Sequence, residues 1–382
     1  MEIKHHASLH TDFYRGLDKD DNFPIINKSI IKDNFEAFKA YAGFEGPIHT
    51  SSTSGSTGIP FSVLQDMPKR KRTIADLKVF GEMAEYPSHE CMIFFRALSN
   101  AHLRSKEQEE RENIFYIDSF DLGNDGLERM YAAIIEKKPR CLMSYSSTLV
   151  ELARYISVNH IDEKFDSLVS VITIGEGLSQ ENKLFLEKLF NCRVYRRYSD
   201  MELGIMAQDC NDGNGYKLNW GSFYFECVKL DKDEPADYGE VGRIVVTDLF
   251  NYAFPLIRYD TGDLGIMTKF EDGVPILSDI YGRVRDIVYT VDGSMIAPAK
   301  ITVSMWGIKG VKQWQFIQKD ENEYVIKLNC SDTVDIDTII HIFKGILGDT
   351  ANIIPEYVDE IPCLASTKRR AVICEYHKNG DV

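Results

Sequence analysis

Apolar positions recur along this chain in two rhythms, one helical and one strand-like. Over residues 67–83 they fall at helical spacing and predict a helix. Residues 91–96 form a short apolar run, read as a buried strand. Residues 127–136 are amphipathic at helical spacing, with Asp125 placed to cap them, and residues 148–158 predict a second such helix. Residues 168–174 are a β-branched run, hence a buried strand, which ends in Gly175-Glu176-Gly177-Leu178-Ser179. Ser179 is placed to cap a helix over 181–190, and a strand follows over 193–198. Strand, loop, helix and strand in that order predict a parallel α/β sheet. Ligands in such sheets bind beyond the carboxyl ends of the strands, where residues 175–177 and 199–202 would both lie.

Farther along, residues 224–230, 243–249 and 256–259 read as strands separated by turns, a more β-rich region. The pattern changes after Tyr281-Gly282-Arg283. Strand-like runs over 311–318 and 324–329 are joined through the turn-like Lys319-Asp320-Glu321-Asn322. A helix follows over 336–346 and a last strand over 370–376. The expected fold class is therefore α/β. A large N-terminal domain, residues 1–284, carries parallel α/β sheets plus a β-rich subregion, and residues 285–382 form a small mobile α+β C-terminal domain.

With 382 residues, 44% of them hydrophobic, the chain can bury a sizeable core. It shows no internal repeat and no low-complexity tract. The formal net charge of -15 repels phosphate backbones and anionic lipid, which argues against nucleic acid or a membrane surface as a general partner. A local basic pocket for a nucleotide is still allowed. The eight cysteines, Cys91, Cys141, Cys192, Cys210, Cys227, Cys330, Cys363 and Cys374, form no CxxC pair and read as thiols in a reducing compartment. A metal site using Cys210 is the minority reading. Residues 1–21 hold no apolar run of the secretory kind, and no stretch approaches the roughly 18 apolar residues of a membrane span. A cytoplasmic location is the expectation.

The most unusual local composition is His49 to Pro60, small, hydroxyl-rich and punctuated by glycine, and it reads as a loop. Within it, Thr53-Ser54-Gly55-Ser56-Thr57-Gly58 suits phosphate binding. Glycines let backbone N–H groups turn toward phosphate oxygens, and hydroxyls add donors. It is not a Walker A loop, since no Gly-Lys-Ser/Thr closes it. On composition alone, a plain flexible loop fits as well.

Six ordered segments together resemble the adenylate-forming superfamily. Thr53-Ser-Gly-Ser-Thr-Gly-Ile-Pro60 has the form of its phosphate loop, and Gly175-Glu176-Gly177 that of its adenine-side segment. Tyr198-Ser199-Asp200-Met201-Glu202 is similar to its aromatic-to-glutamate motif. Tyr259-Asp260-Thr261-Gly262-Asp263 is similar to its Tyr-x-Thr-Gly-Asp motif, and Gly282-Arg283-Val284-Arg285-Asp286 to its hinge. Lys368 lies where the C-terminal catalytic lysine is expected. The run Glu240-Val-Gly-Arg-Ile-Val-Val-Thr-Asp-Leu and Phe254-Pro-Leu-Ile-Arg-Tyr point to the phenylacetate–CoA ligase branch. So does Phe61, since many wider relatives carry Lys after the loop proline.

The resemblance implies an enzyme that uses ATP and Mg2+ to convert a small-molecule carboxylate, aromatic or aryl-acetic, to an acyl-adenylate, and then transfers it to a thiol, CoA first among the acceptors. A carrier protein, a protein cysteine or an amine is the alternative acceptor, and a homodimer is compatible. It implies that Ser54, Ser56 and Thr57, with Gly55 and Gly58, hold the β- and γ-phosphates. Gly175, Glu176 and Gly177 would flank the adenine, Tyr198 would stack on it with Ser199 beside, and Glu202 would hold Mg2+. Asp263 would accept from the ribose hydroxyls, Arg283 would support the ribose or phosphate end, and Lys368 would neutralise the reacting groups. The acid would sit near residues 94–98, Tyr145 and residues 173–177.

Read without the pattern, Tyr198 is a core tyrosine, Glu202 a surface helix residue, Asp263 a turn residue, Arg283 an ion-pair partner and Lys368 part of a solvated basic run. The chain departs from the usual pattern at Ser199 (for Gly), Met201 (for Thr) and Arg285 (for an acidic residue or Lys), and its segment ahead of Thr53 is short. The departures at 199, 201 and 285 open one further alternative, a nucleotide-binding module that has lost catalysis, and the short segment bears on the acceptor site. An adenylyltransferase that leaves AMP on its product is a separate alternative.

Overall fold

The structure is a computed structural model that describes residues 2–18, 22–52, 61–96, 104–209, 214–269, 273–283, 288–296, 298–305, 308, 310–330, 334–362 and 370–376. Three short helices open the chain: α1 (Glu2–His10), α2 (Lys28–Asp33) and α3 (Phe35–Phe38). They are held by aromatic packing. The Phe13 and Phe38 rings stack at 4.0 Å, and Phe38 lies against Phe254. Ala7, Tyr14, Phe23, Ile26 and Ile31 are buried in the same cluster as Leu256 and Ile257.

A hairpin follows, β1 (His49–Ser52) and β2 (Ser62–Gln65), paired from His49↔Gln65 to Ser52↔Ser62. This corrects the single loop expected over residues 49–60. Its first four residues are strand, because their backbones pair and the Ser52 and Ser62 hydroxyls meet at 2.8 Å. A polar, half-exposed arm has the composition of a loop while keeping the backbone of a strand. Next, α4 (Met67–Met83) spans the residues that the spacing predicts, with the Asp66 carboxylate capping it through the Lys69 N–H at 3.0 Å.

Alternating strands and helices then build the parallel part: β3 (Met92–Arg96), α5 (Lys106–Glu112), β4 (Ile114–Asp118), α6 (Asn124–Lys137), β5 (Cys141–Tyr145), α7 (Ser146–Asn159), β6 (Ser170–Ile174), α8 (Gln180–Phe190) and β7 (Arg193–Asp200). The strands lie β4-β3-β5-β6-β7, all parallel. On one face α6, α7 and α8 bury Met130, Ile134, Leu149, Leu152, Leu186 and Phe190 against Ile93, Leu142, Val171 and Val194. At about 25 cal/mol per Å² of apolar surface, such layers supply most of the drive for folding. Asp125 is not the cap of α6. Gly123 holds that position, with its N–H bound by Asp121 at 2.9 Å, and Asp125 falls in the first turn, where its charge still suits the helix dipole.

The chain continues as β8 (Gly204–Asp209), β9 (Tyr216–Leu218), β10 (Phe223–Val228), β11 (Val241–Asp248), β12 (Tyr259–Lys269) and β13 (Pro275–Arg283). These strands join antiparallel onto β7, so the β-rich region is not a separate sheet. Both halves form one eleven-stranded sheet ordered β10-β11-β12-β13-β9-β8-β7-β6-β5-β3-β4. Residues 256–258, expected to be strand, lie outside any strand. Leu256 and Ile257 are apolar because they plug the core, and Arg258 turns the chain with φ of 50°. β12 starts only at Tyr259 and carries the whole Tyr-Asp-Thr-Gly-Asp segment.

Past Arg283 come β14 (Val288–Tyr289), β15 (Met295–Ile296), α9 (Pro298–Met305), β16 (Val311–Asp320), β17 (Glu323–Cys330), α10 (Ile336–Leu347), β18 (Asn352–Tyr357) and β19 (Val372–Cys374). They make a small α+β unit, with a four-stranded sheet ordered β18-β17-β16-β19. Its core is its own, built from Phe316, Tyr324, Ile326, Leu328, Ile339, Phe343 and Leu347. Among the described residues no helix is long and apolar enough to cross a membrane.

Candidate active site

Four parallel strands end along one edge of the sheet, at Arg96, Tyr145, Ile174 and Asp200. Tyr145 is the Cα partner of Ile174, and Ile174 that of Arg197. The chain leaves β6 through Gly175, whose φ of +70° suits a residue without a side chain. Glu176 has a structural task here. Its carboxylate accepts the Ser147 N–H at 2.9 Å, closing an N-terminus of α7 that Tyr145 leaves without a side-chain cap. Gly177 has open space around it.

Tyr198 and Asp263 are brought together from β7 and β12. The phenol donates to the Asp263 carboxylate at 2.9 Å and lies 3.1 Å from the Thr261 hydroxyl. Thr261 donates to the Ile244 carbonyl at 3.0 Å, which leaves its oxygen free to accept. Burial, and then the charge of Asp263, push the phenol well above its ordinary range, so it stays a donor. A register shift between Tyr198 and Ser199 re-aims the end of β7, as bulges beside sites do. Asp263 stands opposite Arg283, its Cα partner on β13, so the sequence-predicted pair shares one rung of the sheet.

Glu202 is not a surface residue; it is 1% exposed. One carboxylate oxygen, Oε1, accepts from the Tyr259 hydroxyl at 3.0 Å and ion-pairs with Lys28. The other, Oε2, is buried and has no hydrogen-bond partner among the described residues. Such an oxygen is costly unless something cationic meets it. Asp200 lies beside it, and burial, followed by the charge of Glu202, pushes the Asp200 carboxyl well above the usual carboxylate range. Burial and then Glu202 likewise raise the Tyr259 hydroxyl. Removing that hydroxyl with Tyr259→Phe is expected to lower stability by about 1.5–3 kcal/mol, the worth of a hydrogen bond to a charged group, in chemical denaturation. An unchanged denaturation curve would show that the bond to Glu202 carries no net stability.

The turn that presents Glu202 is clamped through its backbone. Ser51 of β1 donates to the Met201 carbonyl at 2.8 Å, and Gln65 of β2 to the Glu202 carbonyl at 3.2 Å. Lys69 of α4, 1% exposed, donates to the Leu203 carbonyl at 2.7 Å and ion-pairs with Asp248 at 2.6 Å. The arms on either side of the Ser/Thr/Gly segment are therefore bonded to the glutamate turn. The segment itself, Ser54, Gly55, Ser56, Thr57 and Gly58, lies outside the described residues, as do Lys368, Cys210 and Arg285; only the backbone of Arg283 is described. Among the described residues, no group of three His, Cys, Asp or Glu could hold a metal ion.

Sequence reading missed Lys28, Lys69 and Asp200. Nothing in the sequence marks Lys28, which is distant in the chain. Lys69 carries a faint signal, a lysine in the first turn of a helix whose other early positions are basic, where the helix dipole is unfavourable unless an acid answers it.

Residues 288–375 match the model of the CapK C-terminal domain. Over 408 residues the chain is 22% identical to Protein CapK of Staphylococcus aureus, covering 97% of this chain and 87% of that protein. It is 25% identical over 277 residues to a phenylacetate-coenzyme A ligase of Thermus thermophilus, covering 67% of this chain and 58% of that one. Among solved structures, a 2-hydroxyisobutyryl-CoA ligase in its postadenylation state superposes with a TM-score of 0.77 at 18% identity, covering 98% of this chain and 87% of that chain. The fold is that of the adenylate-forming enzymes. The same ligase in its thioesterification state, bound to 2-HIB-AMP and CoA, gives 0.62 with the same identity and covers 98% and 88%. The likeness is one of fold and runs over nearly the whole chain in both comparisons.

Proposed function

We propose that the chain activates a carboxylic acid with ATP to an acyl-adenylate and then passes the acyl group to a thiol, with CoA the first candidate. The observation that carries this reading is the pair of acids at the strand edge. Buried Glu202 keeps one oxygen without a hydrogen-bond partner among the described residues, and Asp263 is held toward Tyr198. A hard oxygen in a buried, anionic setting fits Mg2+, which binds through one or two carboxylates and completes its shell with phosphates and water. Glu202 would hold it, and bound there it would spread the charge of the triphosphate.

The chain's own residues do the rest by positioning. The acid's oxygen attacks the α-phosphorus, the bond to pyrophosphate breaks, and acyl-AMP forms. The thiol then attacks the acyl carbon and AMP leaves. Tyr198 and Asp263 fix the nucleoside, since a carboxylate suits the ribose hydroxyls and a half-buried ring suits the base. The hydroxyls and glycines at 54–58 would receive the β- and γ-phosphates beside the glutamate turn, an assignment supported by the bonds from Ser51 and Gln65. Glu176 is assigned to the wall of the site, through its hold on α7. Residues 285–382 are proposed to swing as a unit about Arg285 between the two half-reactions. The acid is assigned to the ends of β3, β5 and β6, with an aromatic or aryl-acetic acid the first candidate.

ATP–pyrophosphate exchange across a panel of aromatic and aliphatic acids tests the first half-reaction. Exchange with no acid would remove the reading. Lys368→Ala is expected to lower exchange by about a hundredfold or more, yet to leave thioester formation from supplied acyl-AMP within a few-fold of the parent. Equal loss in both assays would refute that division of labour.

A further inference from the structure

The segment ahead of β1 does more than pack. Ile26 is bonded to the start of β12 in both directions, its N–H to the Arg258 carbonyl at 3.0 Å and its carbonyl from the Asp260 N–H at 2.8 Å. Asn27 then caps α2 by accepting the Ile30 N–H at 3.0 Å. Lys28, the next residue, thus starts from a backbone fixed on both sides. Its ammonium reaches the Oε1 oxygen of Glu202 and lies 5.2 Å from the centroid of the Phe61 ring. Phe61 is the first described residue after the Ser/Thr/Gly segment. The side chain of Lys28 is 37% exposed, while that of Glu202 is 1% exposed. The two oxygens of Glu202 are therefore differently placed. Oε1 is shared by Lys28 and Tyr259, and Oε2 has no hydrogen-bond partner among the described residues.

We propose that Lys28 is a phosphate-contacting residue of this site: it flanks Glu202 on one oxygen, leaves the other to the divalent cation, and offers its ammonium to the β- and γ-phosphates. This rests on the reading of Glu202 as the metal's carboxylate. The arrangement sets two opposing effects in one side chain. A fixed ammonium close to the metal's oxygen repels a bare divalent cation, and the same ammonium attracts a polyphosphate anion. A lysine that merely packed would produce neither effect.

The test uses the full chain with Lys28→Gln, which removes the charge but keeps an N–H donor for the buried carboxylate so that the fold is spared, and Lys28→Arg, which restores the charge. Mn2+ binding without nucleotide is read by electron paramagnetic resonance, and pyrophosphate binding by calorimetry. Lys28→Gln is expected to bind Mn2+ about fivefold more tightly and pyrophosphate about tenfold more weakly, with Lys28→Arg returning both toward the parent. An unchanged pyrophosphate affinity, or a weakening of both ligands together, overturns the proposal. Glu202→Gln separates the proposal from the reading beneath it. If that variant binds Mn2+ as the parent does, Glu202 is not the metal's carboxylate, and Lys28 as a phosphate contact is then judged by pyrophosphate alone.

Discussion

Glu202→Gln is expected to lower ATP–pyrophosphate exchange by about two to three orders of magnitude while the thermal midpoint holds or rises. The two outcomes have separate causes. Glutamine keeps an oxygen for the Tyr259 hydroxyl and for Lys28, and it is close to glutamate in volume, so packing is preserved. What disappears is a negative charge in a place where Asp200 is already forced up by burial and by that same charge. Removing it relieves a like-charge contact, and Lys28, more than a third exposed, can turn to water. Catalysis loses the anionic oxygen that suits Mg2+, and a neutral amide does not replace it. Exchange within a few-fold of the parent would remove Glu202 from the chemistry. A sharp fall in the midpoint would recast it as a structural ion-pair partner.

Lys69→Met is expected to cost about 3–5 kcal/mol, because it leaves Asp248 buried without its cation. Lys69 is 1% exposed and Asp248 0%, so solvent does little to screen the pair. The methionine fills the aliphatic volume beside Phe223, whose ring centroid lies 4.6 Å from the ammonium, so the loss reports charge and hydrogen bonding more than a cavity. The donor to the Leu203 carbonyl is lost as well, which frees the glutamate turn on its α4 side. Chemical denaturation measures the first effect. The double variant Lys69→Met with Asp248→Asn is expected to recover much of it, since no buried charge then remains. A single variant as stable as the parent, or a double variant no better than the single one, would show that the pair does not couple as its burial implies.

How far the sequence carried this picture depends on the distance over which each signal acts. Helix α4 was legible because its spacing is local, and its Asp66 cap came only from the structure. Of the five parallel strands, β3, β6 and β7 were read from the sequence, β3 and β6 because burial on both faces demands unbroken apolar runs, as in Ser170–Ile174, whereas β4 and β5 were not read. The first arm of the hairpin was not, since hydroxyl side chains dominate both loops and polar edge strands. Residues 256–258 misled because Leu256 and Ile257 are apolar for the sake of packing, not pairing. In the site, Tyr198, Glu202 and Asp263 were found through ordered motifs, and their burial and mutual contacts came only from the fold. Lys28 was invisible because nothing near it in sequence constrains it. Its meaning comes from Glu202, an acid far along the chain.

The clamp on the glutamate turn has a consequence for how this site can change over generations. Ser51 reads the carbonyl of residue 201, and every amino acid supplies a carbonyl. The Met201 side chain is 51% exposed and takes no part in that bond. Position 201 is thus open to drift, and the methionine there is a silent departure with respect to loop anchoring. Positions 51 and 65 contribute side chains to the same turn and do not enjoy that freedom, so variation should thin out on the hairpin arms while it persists at their target.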